Sequence, residues 1–181
     1  NAGSGDTPST DAMCYVSDVY RGMEGIERGT IHYLRIAQHV GWPFDAERGQ
    51  MDYIRADAGT RRIDFQSWSP VRVIGTVPVE ADGSAFFEVP ALRSLFFVAL
   101  DEHDLSVKRM QSFVTVQPGE TSGCVGCHEQ RTQTFPEANL SSLLAYKSRR
   151  PAKITALDGV PAPLDFPRDI QPILDRHCVE C

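Results

Sequence analysis

The sequence predicts a mainly β protein: a small antiparallel β-sandwich, then a cysteine-bearing loop and short helices. Three observations predict it. Short apolar runs separated by turn residues recur from Val71 to Val116, which is the rhythm of a sandwich. Asp82-Gly83 between two of those runs is a strong tight-turn dipeptide. Helical spacing of apolar residues appears only later, over Glu137–Lys147 and Arg168–Cys181.

Taken in order, residues 1–11 are small and polar and read as tail or linker. Met13–Val16 reads as a short strand in which Cys14 is a buried thiol. Arg21-Gly22-Met23-Glu24-Gly25 breaks the chain, and Thr30–Ala37 alternates as a strand. These stretches, 1–40, are expected to form the tail and end of an upstream region. Residues 41–70 hold no sustained period and are expected to be an irregular connection. From 71 to 147 the sandwich and the loop are expected. Val71–Val79 is its first strand, and Ser84–Val89 is the hairpin partner across Asp82-Gly83. Leu95–Leu100 is apolar on both faces, as a central covered strand is. Val107–Val116 closes the sheet, with Met110, Val114 and Val116 on one face. Leu140, Leu143, Leu144 and Lys147 lie at helical spacing. Pro151, Pro161, Pro163 and Pro167 make 148–167 a semi-rigid linker. In 168–181, Ile170, Ile173, Leu174 and His177 mark a second helix, with Pro172 tolerable only in its first turn.

Composition excludes several classes. The 181 residues could bury roughly 70% of the unfolded surface, so a core needs no disulfide support. The net charge of −6, without a basic block or stripe, excludes nucleic acid as a partner. No run of 18 apolar residues occurs, so no membrane span is expected. No dinucleotide or phosphate loop, serine elbow or His-Glu-x-x-His is present.

The chemistry concentrates in Gly123-Cys124-Val125-Gly126-Cys127-His128-Glu129. Two cysteines with two residues between them, followed at once by histidine, are the attachment pattern of haem c. The thiols of Cys124 and Cys127 match the two porphyrin vinyl groups, and His128 is placed to bind iron as the metal ligand. Gly123 and Gly126 suit a tight turn against a flat macrocycle. The same atoms suit zinc, since Cys178 and Cys181 form a second Cys-x-x-Cys pair that could complete four thiolates. Zinc ribbons keep their pairs about 15–20 residues apart, closer than these, and zinc leaves His128 unexplained. A thioredoxin-type pair would follow a buried strand, whereas Gln117–Ser122 reads as a polar turn. His32, His39, His103 and Met110 could approach iron from the far side, but surface or core roles explain them better. Because haem joins its cysteines after export, an extracytoplasmic compartment, periplasmic or equivalent, is expected. The chain begins without methionine and stops at Cys181, one residue short of a second Cys-x-x-Cys-His, and is expected to be a piece of a longer protein.

The run Val77–Pro90, then Leu100-Asp101, Met110–Phe113, Pro118-Gly119-Glu120 and Cys124–Glu129 resembles the hydrazine synthase alpha-subunit middle-domain family of planctomycete-type multi-module c-type haem proteins. Asp18–Gly22 and Arg28–Arg35 fit the same pattern. Asp165–Cys181 is similar to the start of a cytochrome c domain. The resemblance implies a parent protein with a β-propeller-like region before this piece, to which 1–40 would belong, and a cytochrome c domain after it, with Cys124 and Cys127 on a haem-attachment loop holding one haem c and His128 as the adjoining ligand. Cys178 and Cys181 would begin a second haem site, incomplete in this chain. Redox partner proteins, or other haem domains of the same parent chain, are the implied partners. The expected role is electron transfer. The alternatives are a catalytic haem acting on a small nitrogen- or oxygen-containing molecule, or a structural module with a zinc site. The true hydrazine synthase subunit is expected to carry a tyrosine four residues after the motif histidine, where this chain has Thr132.

Overall fold

A computed structural model describes residues 12–40, 71–127, 140–147, 150–159 and 166–179. The expectations for 1–11, 41–70, His128, Thr132 and Cys181 lie outside the described residues. Among the described residues, strands β1 (Ala12–Val16), β4 (Ala85–Val89) and β7 (Thr121–Cys124) form one sheet in the order β4-β1-β7. Strands β3 (Val71–Pro78), β2 (Tyr33–His39), β5 (Leu95–Leu100) and β6 (Ser106–Arg109) form the other, in the order β3-β2-β5-β6. The chain is thus mainly β, a small sandwich. Every strand pair is antiparallel except β1 with β7.

Alternation builds the core. In β1 the residues Ala12, Cys14 and Val16 are buried while Met13 and Tyr15 are only half-buried, as one covered face of a pleated strand requires. β4 turns Ala85, Phe87 and Val89 inward and β5 turns Leu95, Phe97 and Ala99 to meet them. Phe87 and Phe97 join the sheets edge to face, with centroids 5.5 Å apart and planes at 87°. Such a pair contributes about 0.5–1.5 kcal/mol beyond the area it buries. β5 lies between β2 and β6 and is covered on both faces, as its continuous apolar run predicts.

Four readings of the sequence change. Asp82-Gly83 does turn the chain: Gly83 has φ +84°, and Glu80 N–H donates to Ser84 carbonyl oxygen at 2.8 Å. The turn does not close a hairpin, because β3 pairs with β2 and β4 pairs with β1. The connection from Val79 to Ser84 is long enough to round a corner, which lets Val77 and Phe87 both face the interior from opposite sheets. The strand expected over Val107–Val116 ends at Arg109, and the chain returns to Leu95 only at Val114, through paired 2.8 Å bonds. Met110, Val114 and Val116 nonetheless pack on the core. Thr121 and Ser122, read as turn, are strand. An edge strand flanked by solvent does not need apolar alternation. Lastly, β1 and β2 occupy the middle of their sheets, so the sandwich draws on residues 12–39 as well as 71–127.

The segment after the loop also binds the sandwich. A 3₁₀ turn, Leu140–Ser142, leads into α1 (Leu144–Lys147), whose N–H groups are taken by the corner turn. Leu144 N–H donates to Asp82 Oδ2 at 2.8 Å and Ala145 N–H to Ser84 Oγ at 3.1 Å. Tyr146 settles on Phe86 at 4.9 Å between centroids. Within the stretch expected as a linker, Ala152 bonds to Phe86 and Glu88, while Thr155 exchanges bonds with Thr76. One short strap therefore touches the edge of each sheet. A side chain at Gly75 would meet this strap, since its Cβ would stand 2.5 Å from Ile154 Cγ2. A wide helical turn, Phe166–Ile170, and α2 (Gln171–His177) follow, with Pro172 in the first turn as required.

Asp82 is partly desolvated, which opposes ionisation, but bonds from Leu144, Ser84 N–H and the Ser84 hydroxyl prevail and hold its carboxyl below the usual range. A depressed carboxyl stabilises the fold above its unfolded value, about 3.9, and that stability is lost as pH falls through the lower folded value. Asp82→Ala is expected to cost about 1 kcal/mol at pH 7 by uncapping α1. Urea melts should show the deficit shrinking as pH drops below about 4; an undiminished deficit at pH 2 would contradict the assignment.

Candidate functional site

The cysteine loop grows directly out of β7, and β1 holds it. In the parallel ladder Tyr15 stands opposite Gly123 and Val16 opposite Cys124. The pairing continues past the strand ends: Ser17 N–H donates to Cys124 carbonyl oxygen at 2.9 Å and Asp18 N–H to Val125 carbonyl oxygen at 3.1 Å. Val125 is buried at 4% exposure, so the first of the two residues between the cysteines pins the loop to the interior.

Both glycines of the motif are explained by protein contacts. A Cβ on Gly123 would fall into the ring of Tyr15, and a Cβ on Gly126 would meet the Arg21 carbonyl and stand 2.7 Å from Arg21 Cβ. Room for a macrocycle is therefore not what their missing side chains provide. They let the loop lie flush against β1 and the turn after it.

Asp18 anchors that turn. Its carboxylate accepts from Tyr20 N–H at 3.1 Å and pairs with Arg28. Arg28 lies over the Tyr20 ring, 5.2 Å from its centroid. The Tyr20 hydroxyl accepts from Gly29 and Ile31 N–H at 2.8 and 2.9 Å. Gly83 is needed beside it, because its Cβ would stand 2.5 Å from Asp18 Oδ1.

Cys124 and Cys127 are both half-buried against the core, and Cys14 is buried on the same inward side, one diagonal step from Cys124. Burial first, then Cys124 and Asp18, pushes the Cys127 thiol up to about 11. Burial, then Cys124 and Glu120, pushes Cys14 up to about 12. Both are neutral thiols at pH 7, unlike the thiolates of a redox-active pair. The two motif cysteines lie on one short loop, packed on an apolar core, at the edge strand of the smaller sheet. That donor set and setting fit a covalently held flat apolar group.

Of the other residues the sequence singles out, Cys178 is exposed and caps the end of α2 through a 2.7 Å bond to Leu174 carbonyl oxygen. Among the described residues α2 packs only on the helical turn before it, so Cys178 is not brought to Cys124 and Cys127. Nor does any group of three metal-type side chains converge among the described residues. His39 stacks on Phe96 at 4.5 Å, and its imidazole is held below the usual value by burial and then by Arg109. His103 sits in an exposed turn beside Glu102, and Met110 packs on the core. Sequence reasoning missed the supports Tyr15, Asp18 and Arg21, because they lie far upstream and only the sheet unites them with the loop.

Residues 29–129, more than half of the chain, match the family described as hydrazine synthase alpha subunit middle domain. Among solved structures, a chain of Kuenenia stuttgartiensis hydrazine synthase superposes over 94% of this chain, with a TM-score of 0.63 and 17% identity. This chain spans 29% of the length of that one, and the likeness speaks for the fold. No curated protein matches the sequence.

Gly123→Ala should destabilise the fold by roughly 1–3 kcal/mol through overpacking. Measured by chemical denaturation in a Tyr15→Ala background, the same substitution should lose most of its cost, since adjoining sites are not additive. Additive losses would show that Tyr15 is not the obstacle.

Proposed function

Because the chain belongs to the hydrazine synthase alpha subunit middle-domain family, we propose that it is a c-type haem-binding module of a larger extracytoplasmic, multi-haem protein. Cys124 and Cys127 hold the haem through thioethers, and His128 is the adjoining metal ligand. Bound there, the group supplies one-electron redox chemistry. The chain's own residues give it a rigid seat: the β1 backbone fixes the loop, and the core beneath half-buries the two cysteines. The observation that carries the reading is the clamping of both cysteines, three residues apart, against an apolar core at a sheet edge.

Partners follow from the same reading. Cys178 and Cys181 begin a second haem site, residues 168–181 being the start of a cytochrome c domain and 148–167 the connection to it. Electrons pass between such domains of the parent chain, or to separate redox proteins. A catalytic haem acting on a small nitrogen-containing molecule is the second reading, favoured by the name of the matching solved structure. Six-coordinate low-spin iron in the resting protein would exclude it, and ligand-accepting high-spin iron would favour it.

The direct test is covalent mass. Chain matured by a cytochrome c assembly system should keep a haem-staining band after denaturing electrophoresis, and Cys124→Ser or Cys127→Ser should lose normal two-thioether attachment. His128→Ala should retain attachment with an altered iron spectrum. Bare polypeptide mass in the parent chain would refute the reading, and an unchanged spectrum would remove His128 from the iron.

A further inference from the structure

We propose that the outward side of the four-stranded sheet is a docking surface for an acidic protein partner, with Arg109 as the main receptor for its carboxylates and Arg35 as a second charge. The cysteine loop lies on the other sheet, so the proposal stands apart from the haem reading.

The fold sorts the charges. Residues 31–40, 71–79, 89–100 and 105–117 build this sheet and its flanks, and they contain no aspartate or glutamate. They carry Arg35, Arg72, Arg93, Lys108 and Arg109, in a chain whose 24 acidic residues outnumber its 18 basic ones. None of these stretches is a basic block along the chain, and only strand pairing gathers them. Pairing also aligns two of the arginines. Val98 stands opposite Arg35 on one side and Arg109 on the other, while the adjoining Leu34 and Ala99 face the core. Arg35, Val98 and Arg109 therefore form one outward row, with the arginine backbones about 10 Å apart across two strand spacings.

Neither arginine meets a carboxylate among the described residues, and Arg35 Nε has no hydrogen-bond partner. Arg109 is exposed, and its guanidinium lies over the Phe96 ring, 4.6 Å from the centroid. His39 stacks on the same ring, and Phe113, 48% exposed, stands edge-on to His39 at 6.4 Å. Resting on a buried ring holds the planar fork in place and leaves its N–H groups free to take a carboxylate in paired geometry. Arginine set among aromatic side chains is the composition of a protein-interface anchor. Two separated arginines beside an apolar rim suit a protein surface better than a nucleic acid, whose binding draws on many phosphate contacts.

The full chain titrated with a fluorescent peptide of alternating glutamate and phenylalanine tests this, with nuclear magnetic resonance locating the contact. Saturable binding that weakens with salt is expected, with shifts centred on Arg35, Val98, Arg109 and Phe113. Arg109→Gln should weaken it about tenfold or more, and Phe113→Ala should weaken it as well. Lys147→Gln, which removes an equal charge from exposed α1 against the other sheet, should bind as the parent does. Equal losses in Arg109→Gln and Lys147→Gln, or shifts centred elsewhere, would overturn the proposal. Binding of heparin but not of the peptide would overturn it in favour of a polyanion. A dimer in sedimentation that Arg109→Gln abolishes would overturn it in favour of a second copy of this chain. No binding at all would also overturn it, leaving the surface to another part of the same chain, such as residues 41–70.

Discussion

Parallel pairing of β1 with β7 is the constraint on which the rest of the site depends. Elsewhere in the sandwich, antiparallel neighbours close the ladders. Here the first and the last strand of the sandwich run side by side. Their bonds continue through Ser17 and Asp18 to Cys124 and Val125, so the loop inherits the rigidity of a strand. Parallel strands need a long crossover, and nearly the whole sandwich lies between these two. The loop thus takes its shape only when the domain is assembled.

Close approach follows from that pairing. Gly123 gives room to Tyr15, and Gly126 to the Arg21 backbone. Val125 then points inward and the two cysteines rest on the core. Burial keeps their neighbourhood weakly polar, which holds the Cys127 and Cys14 thiols neutral.

The chain beyond the loop is tied down as firmly. Asp82 and Ser84 receive the N-terminus of α1, and Tyr146 packs on Phe86. Cys127 on one side and Leu144 on the other are therefore both fixed to the same sandwich. The strap at Ala152 and Thr155 then joins the β4 edge to the β3 edge, where a sandwich would otherwise leave backbone groups unpaired.

The sequence by itself determined the β class, the burial of Cys14, the two covered faces of β5 and the cysteine motif, because each is written in local periodicity or in fixed spacing. The family was legible for the same reason, since Val77–Pro90 and Cys124–Glu129 are contiguous signatures. Tertiary structure alone decided which strands pair. Asp82-Gly83 reads as a hairpin because turn chemistry is local, yet whether the strands beyond it share a sheet depends on what β1 and β2 offer them. The polar run Thr121–Ser122 becomes a strand only because Met13 and Cys14 lie alongside. Tyr15 carries no motif, and the family pattern that holds Asp18 and Arg21 does not say what they touch; their part in the site comes from distance in space, which spacing along the chain does not encode.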